Sequence, residues 1–141
     1  MIEVYVDVAA ASVEAGGTEA GNQLAAEPQA VRALRYLADA GIRVVLVTGG
    51  SGEPPAELRG AASEVVATVP VRPRGPAWYL TSDIARCQGA SARLRTVLIG
   101  GTPPTGSVRR CDAVARDLQA AAMEILAAVA MPAGTEDRVT P

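Results

Sequence analysis

The chain has no histidine, no lysine and no phenylalanine, and each absence removes a class of function. Without histidine there is no Ser-His-Asp triad, no imidazole acid/base group and no His-ligated metal. Without lysine there is no Schiff base and no phosphate-cradling P-loop lysine. All 13 basic residues are arginine, and the net charge of −2 leaves no basic face, so nucleic acid is not an expected partner. With one Trp and no Phe, the core must be built from Ala, Val and Leu. The N-terminus lacks a basic segment and a long apolar run, so no signal peptide or membrane span is expected, and the location expected is cytoplasmic. Cys87 and Cys111 lack metal-ligand spacing and read as two small buried or half-buried thiols.

The 141 residues suffice for one core. A single domain over 1–131 is expected, with 132–141 as a flexible tail. "IEVYVDV" (2–8) is a short β-rich run ending at an acid, Asp7. Residues 9–27 are small, polar and Gly-containing, and read as a loop or flap. Pro28 opens a helix whose face is Val31, Leu34, Leu37 and Ala38, and Gly41 closes it. "IRVVLVTGG" (42–50) is an apolar strand running into a Gly turn, the pattern of a parallel sheet covered on both faces. Further strands are expected at 64–71, 77–80 and 94–101, with a weak helix at 54–63, a helical turn at 83–93 and a loop at 102–110. Asp112 reads as the N-cap of a last helix striped by Val114, Leu118, Ala121, Ile125 and Val129.

Strands alternating with helices make an α/β fold with a mainly parallel sheet and right-handed crossovers. Ligands of such sheets sit at the carboxyl ends of the strands. Those ends hold Asp7, Thr48-Gly49-Gly50, the loop of Arg72 and Arg74, and Thr81-Ser82-Asp83. The Thr48 hydroxyl and the Gly49 and Gly50 N–H groups suit phosphate oxygens. Asp7, Asp83 and the backbone carbonyl of Ala9 are hard oxygens of the kind Mg²⁺ takes. Asp83 reads equally well as the N-cap of "IARCQ".

The order of these segments resembles the haloacid dehalogenase-like (HAD) superfamily, nearest to the small phosphatases of histidinol phosphate and heptose bisphosphate. The strand ending in Asp7, "VRALRYLADAGIRVVLVTGG", "AWYLTSDIARCQGASARLRTVLIGG" and "CDAVARDLQAAAMEIL" carry the likeness over most of residues 2–130. It implies a three-layer Rossmann-like core with a five-stranded sheet in the order 3-2-1-4-5 and no large cap domain. It also implies that Asp7 is a phosphoryl-accepting nucleophile, that Thr48 binds the phosphoryl group, and that Arg72 or Arg74 replaces the stabilising lysine. Asp83, or Ser82 in its place, marks the metal-binding acid, and Mg²⁺ is the implied cofactor. The position of the family's general acid is Ala9, which cannot donate a proton, and the region before Trp78 is too short for the family's helix. These departures imply a degenerate, catalytically impaired site on a binding or assembly module. The partners expected are a small phosphorylated molecule or a protein, a second copy of the chain included. A Mg²⁺-dependent phosphatase using Asp7 is the alternative.

Overall fold

The structure, a computed structural model, describes residues 2–18, 21–50, 52–100 and 111–130. Strand β1 (Glu3–Asp7) alternates. Val4 and Val6 face one side of the sheet, and Tyr5 and Asp7 the other. A single 3-10 turn (Val8–Ala11) leads into a hairpin of β2 (Ser12–Thr18) and β3 (Gly21–Ala26). Helix α1 (Pro28–Asp39) starts on its proline, and the chain leaves it through Gly41 at φ 85°. Then follow β4 (Arg43–Val47), α2 (Ala56–Ala61), β5 (Glu64–Val66), β6 (Ala77–Thr81), α3 (Ile84–Gly89), β7 (Leu94–Ile99), β8 (Ala113–Ala115) and α4 (Leu118–Ala130).

The main sheet runs β5-β4-β1-β6-β7-β8 and is parallel throughout. The five expected strands stand in the expected order 3-2-1-4-5, and β8 adds a sixth at the edge beyond β7. β1 lies in the middle, so Asp7 emerges between the ends of β4 and β6. Its register partner across β4 is Val47, and its neighbour Val6 pairs with Leu80.

The two faces are covered unequally. Leu34 and Leu37 of α1, Leu58 of α2 and Ile125 of α4 pack on Val4, Val6, Leu46 and Leu80 to make the larger core. The second face carries a smaller cluster of Tyr5, Val45, Val47, Ala77, Tyr79 and Leu94. A parallel crossover usually brings a helix to such a face. Here residues 67–76 connect β5 to β6 without one, and the cluster is packed only by residues such as Val69 and Ala90. A cavity of about 510 Å³ remains between residues 67–71, the end of α3 and the sheet. Among the described residues no helix is long and apolar enough to cross a membrane.

Besides the added β8, other expectations change. Ala38 is exposed, and Ala30 and Ala33 join Leu34 and Leu37 on the buried face of α1. Residues 12–18 and 21–26 form a hairpin, not a plain loop, with a register shift between Ala15 and Thr18. Backbone pairing builds it from residues too small to show a strand pattern. β5 stops at Val66, short of 71; Pro70, which has no N–H to give a ladder, follows shortly. The last helix begins at Leu118, not after Asp112. Asp117 caps it, accepting the Ala120 N–H at 2.8 Å, while Asp112 accepts the Thr96 N–H at 2.8 Å and ties β7 to the start of β8. Cys87 and Cys111 form a disulfide (Cα–Cα 5.7 Å) and are not free thiols. It joins α3 to the chain entering β8, a long-range contact that spacing alone does not show. The expected loop 102–110 and tail 132–141 lie outside the described residues.

Candidate functional site

Asp7 is 1% exposed, and three donors converge on its carboxylate. The Tyr79 hydroxyl donates to Oδ1 at 2.8 Å, and the Thr81 hydroxyl donates to Oδ2 at 2.5 Å. Both come from β6, the strand beside β1, at alternate positions that share Asp7's face. The third donor is Arg86, whose guanidinium reaches Oδ2 at 3.3 Å. The same guanidinium donates to the Gly49 carbonyl at 2.7 Å. It therefore bridges the tip of β1 to the turn after β4.

Local sequence explains how Arg86 arrives there. Asp83 is the N-cap of α3, accepting the N–H groups of Ala85 at 2.9 Å and Arg86 at 3.4 Å. The Asp83 N–H donates in turn to the Thr81 hydroxyl at 3.1 Å, so cap and carboxylate belong to one network. The Arg86 side chain then lies 3.8 Å from the Asp83 carboxylate and reaches over Gly49. Gly49 has φ 54°, and a Cβ there would collide with the Arg86 guanidinium. The left-handed φ favours glycine there, and a side chain would push the guanidinium aside.

The electrostatics follow from the burial. Desolvation, then the charge of Asp7, pushes the Tyr79 phenol well above the usual range, so it remains a neutral donor. The Asp7 charge raises Arg86 further still.

The other sequence candidates lie apart from this centre or turn elsewhere. The Thr48 hydroxyl points to the Val66 carbonyl at 3.5 Å. Gly49 and Gly50 both take positive φ, and the Gly49 N–H donates to the Ala67 carbonyl. Ala9 is exposed on the 3-10 turn. Arg72 and Arg74 are exposed on the β5–β6 segment, and the charge of Arg74 reaches the Tyr5 phenol. Tyr79 and Arg86 carried no functional reading in the sequence. The signals were present: a Tyr and a Thr two apart beside β1, and an Arg three residues after an N-cap.

Mg²⁺ seeks several carboxylate or carbonyl oxygens turned to one point. Asp7 accepts three donors, and Asp83 turns to the amides of α3. Arg86, itself a cation, stands 3.3 Å from Asp7. Among the described residues no group of three or more Cys, Asp or Glu is placed to hold a metal ion. In this arrangement the residues do not fit Mg²⁺.

No protein-family model and no curated protein matches the chain. Solved structures do. D,D-heptose 1,7-bisphosphate phosphatase from Burkholderia thailandensis superposes with a TM-score of 0.62 at 19% identity, over 91% of this chain and 100% of that one. The D,D-heptose 1,7-bisphosphate phosphatase of B. bronchiseptica, crystallised with magnesium and phosphate, has a TM-score of 0.56 at 14% identity, over 90% of this chain and 99% of that one. With the sheet order above, these matches show that the chain has the haloacid dehalogenase-like fold, without a large cap, that the heptose bisphosphate phosphatases share.

Proposed function

We propose that this is a HAD-like protein whose phosphatase centre is closed by a resident ion pair, and that it works as a binding or assembly module with impaired or no catalysis. The observation that carries the proposal is the Arg86 guanidinium, which spans Asp7 and the Gly49 carbonyl. A carboxylate attacks phosphorus with a lone pair turned to the substrate. Tyr79, Thr81 and Arg86 already occupy three of the roughly four acceptor positions of the Asp7 carboxylate, with two of the donors on Oδ2. The leaving oxygen would also need a proton, and Ala9 stands where the resemblance puts the acid. General acid/base help is worth ~10²–10⁴-fold. The partner proposed is a protein, a second copy of the chain included, and the location proposed is the cytoplasm.

The second reading is a Mg²⁺-dependent phosphatase acting on a small phosphorylated molecule, with Asp7 as nucleophile. Asp7 at the tip of the central strand and the magnesium and phosphate bound by the B. bronchiseptica enzyme favour it. Release of phosphate from an aryl phosphate with and without Mg²⁺ separates the two. The expected result is equal background rates for wild type and Asp7→Asn. Mg²⁺-dependent turnover that disappears in Asp7→Asn would overturn the proposal.

A further inference from the structure

Helix α3 carries Arg86 to the site, and its hold on the rest of the fold is slight. Of its six residues Cys87 alone is buried, at 1% exposed, while Ile84 and Ala85 face solvent. A helix of that length does not persist on its own. The pairing of Arg86 with Asp83, at 3.8 Å, lies between the helix and its own cap and moves with them. Asp83 in turn donates to Thr81, two residues back along the chain. The attachments to more distant parts of the fold are the guanidinium on Asp7 and Gly49, and the disulfide from Cys87 to Cys111. The far end of that disulfide is firm. Cys111 precedes Asp112, whose carboxylate accepts the Thr96 N–H at 2.8 Å and whose own N–H donates to the Thr96 hydroxyl at 3.0 Å. The bond therefore joins a weakly held helix to a strand of the sheet, one residue from the guanidinium on Asp7. For the cytoplasmic location proposed above such bonds are uncommon, and those that occur are usually transient or redox-sensing.

We infer that the Cys87–Cys111 disulfide is a redox latch on the Asp7 site: formed, it holds Arg86 across Asp7 and the Gly49 carbonyl, and reduced by a dithiol it releases α3 and uncovers Asp7. Cys87 is buried and Cys111 half-buried, so the incoming thiolate attacks the Cys111 sulfur. The S–S bond breaks, and Cys87 leaves as a thiolate that takes up a proton. The second thiolate of the dithiol attacks the mixed disulfide and frees Cys111, which is protonated in turn. The dithiol departs as its own disulfide, having passed two electrons to the protein. Without the bond, α3 is held by one small thiol and by the partly exposed Arg86 pair, both weak, and Arg86 leaves with the helix. The inference rests on the reading that Arg86 closes the site, and its test separates the two.

The experiment is modification of arginine by phenylglyoxal, mapped by peptide mass spectrometry, on the full chain oxidised and after reduction with dithiothreitol. In the oxidised chain Arg86 should react about tenfold more slowly than Arg35, which is exposed on α1. Reduction should raise the Arg86 rate about tenfold and leave Arg35 unchanged. Cys111→Ser, at the half-buried end of the bond, should show the fast rate with no reductant. Reoxidation of the reduced wild type with glutathione disulfide should restore the slow one, with circular dichroism unchanged throughout. Arg86 reacting as fast as Arg35 in the oxidised chain would mean that the site is open, and both readings would fail. A slow rate in the reduced chain or in Cys111→Ser would overturn the latch alone, since the site then stays closed without the bond. Loss of circular dichroism on reduction would also overturn it, by making the bond a staple of the whole fold.

Discussion

Asp7 and Arg86 define each other, and removing either exposes what the other was doing. A buried carboxylate costs several kcal/mol unless it is paired and hydrogen-bonded, and Asp7 has three donors to meet that cost. Asp7→Ala would strand two buried hydroxyls and a guanidinium, and the expected loss in chemical denaturation is about 3 kcal/mol. Arg86→Ala leaves Asp7 with Tyr79 and Thr81. Because the Arg86 side chain is 37% exposed, about 1–2 kcal/mol is expected, below the range for a fully buried pair. A larger loss from Arg86→Ala than from Asp7→Ala would contradict this order. Tyr79 adds a pH dependence. Its phenol is raised in the folded state, so the unfolded chain loses that proton first, near pH 10, while the folded chain keeps it. Its contribution to stability is therefore complete below about pH 10 and falls above it, by about 1.4 kcal/mol per pH unit. No lysine titrates in that window, and Tyr5, whose phenol is also raised by burial, is present in both proteins compared. Denaturation midpoints between about pH 9 and 11 should fall more steeply for wild type than for Tyr79→Phe; parallel curves would remove Tyr79 as the cause.

Helix α3 is the element on which the site depends. It is six residues long, too short to be stable alone, and it is held by a cap at one end and a disulfide near the other. The Cys87–Cys111 bond closes a separation of 24 residues, for which chain entropy gives about 3 kcal/mol. Reduction should lower the unfolding free energy by about that amount. Because Cys87 is the next residue after Arg86, reduction should also loosen the guanidinium from Gly49, seen as faster amide exchange in α3 than in α1. Uniform exchange in both helices would detach the disulfide from the site. The elements also show where sequence reading succeeds and fails. α1 was legible because Leu34 and Leu37 keep helical spacing between Pro28 and Gly41. The hairpin was not, because Gly and Ala carry no period and only pairing reveals them. The start of α4 was misread because Asp112 and Asp117 are both good caps, and the contact of Asp112 with Thr96, 16 residues away, decides between them.

For the whole molecule, the fold was legible because a central parallel sheet writes itself as apolar runs: "VYV", "VVLV" and "TVLI" each end where polar chemistry must begin. The candidate site is read from the same rule, which puts Asp7 at the end of the central strand. What occupies the site did not follow, because Tyr79, Thr81 and Arg86 reach Asp7 across 72 to 79 residues of sequence. A strand-end acid looks alike whether it faces a ligand or an arginine of its own chain. The distinction is testable on the intact protein without any substrate. A core that holds Mg²⁺ and phosphate gains stability as RT ln(1 + [L]/Kd), about 2.7 kcal/mol at a hundredfold excess over Kd. For a domain of this size that amounts to a rise in Tm of roughly 8–10 °C. With Arg86 already serving as the cation beside Asp7, the wild-type Tm should not move on adding Mg²⁺ with phosphate or fluoroberyllate. Arg86→Ala removes the resident charge and leaves Asp7 open to solvent ions, so any Mg²⁺-dependent rise should be confined to that variant. A wild-type rise of several degrees, lost in Asp7→Asn, would show instead that Arg86 swings aside and that the fold still receives a metal and a phosphoryl group.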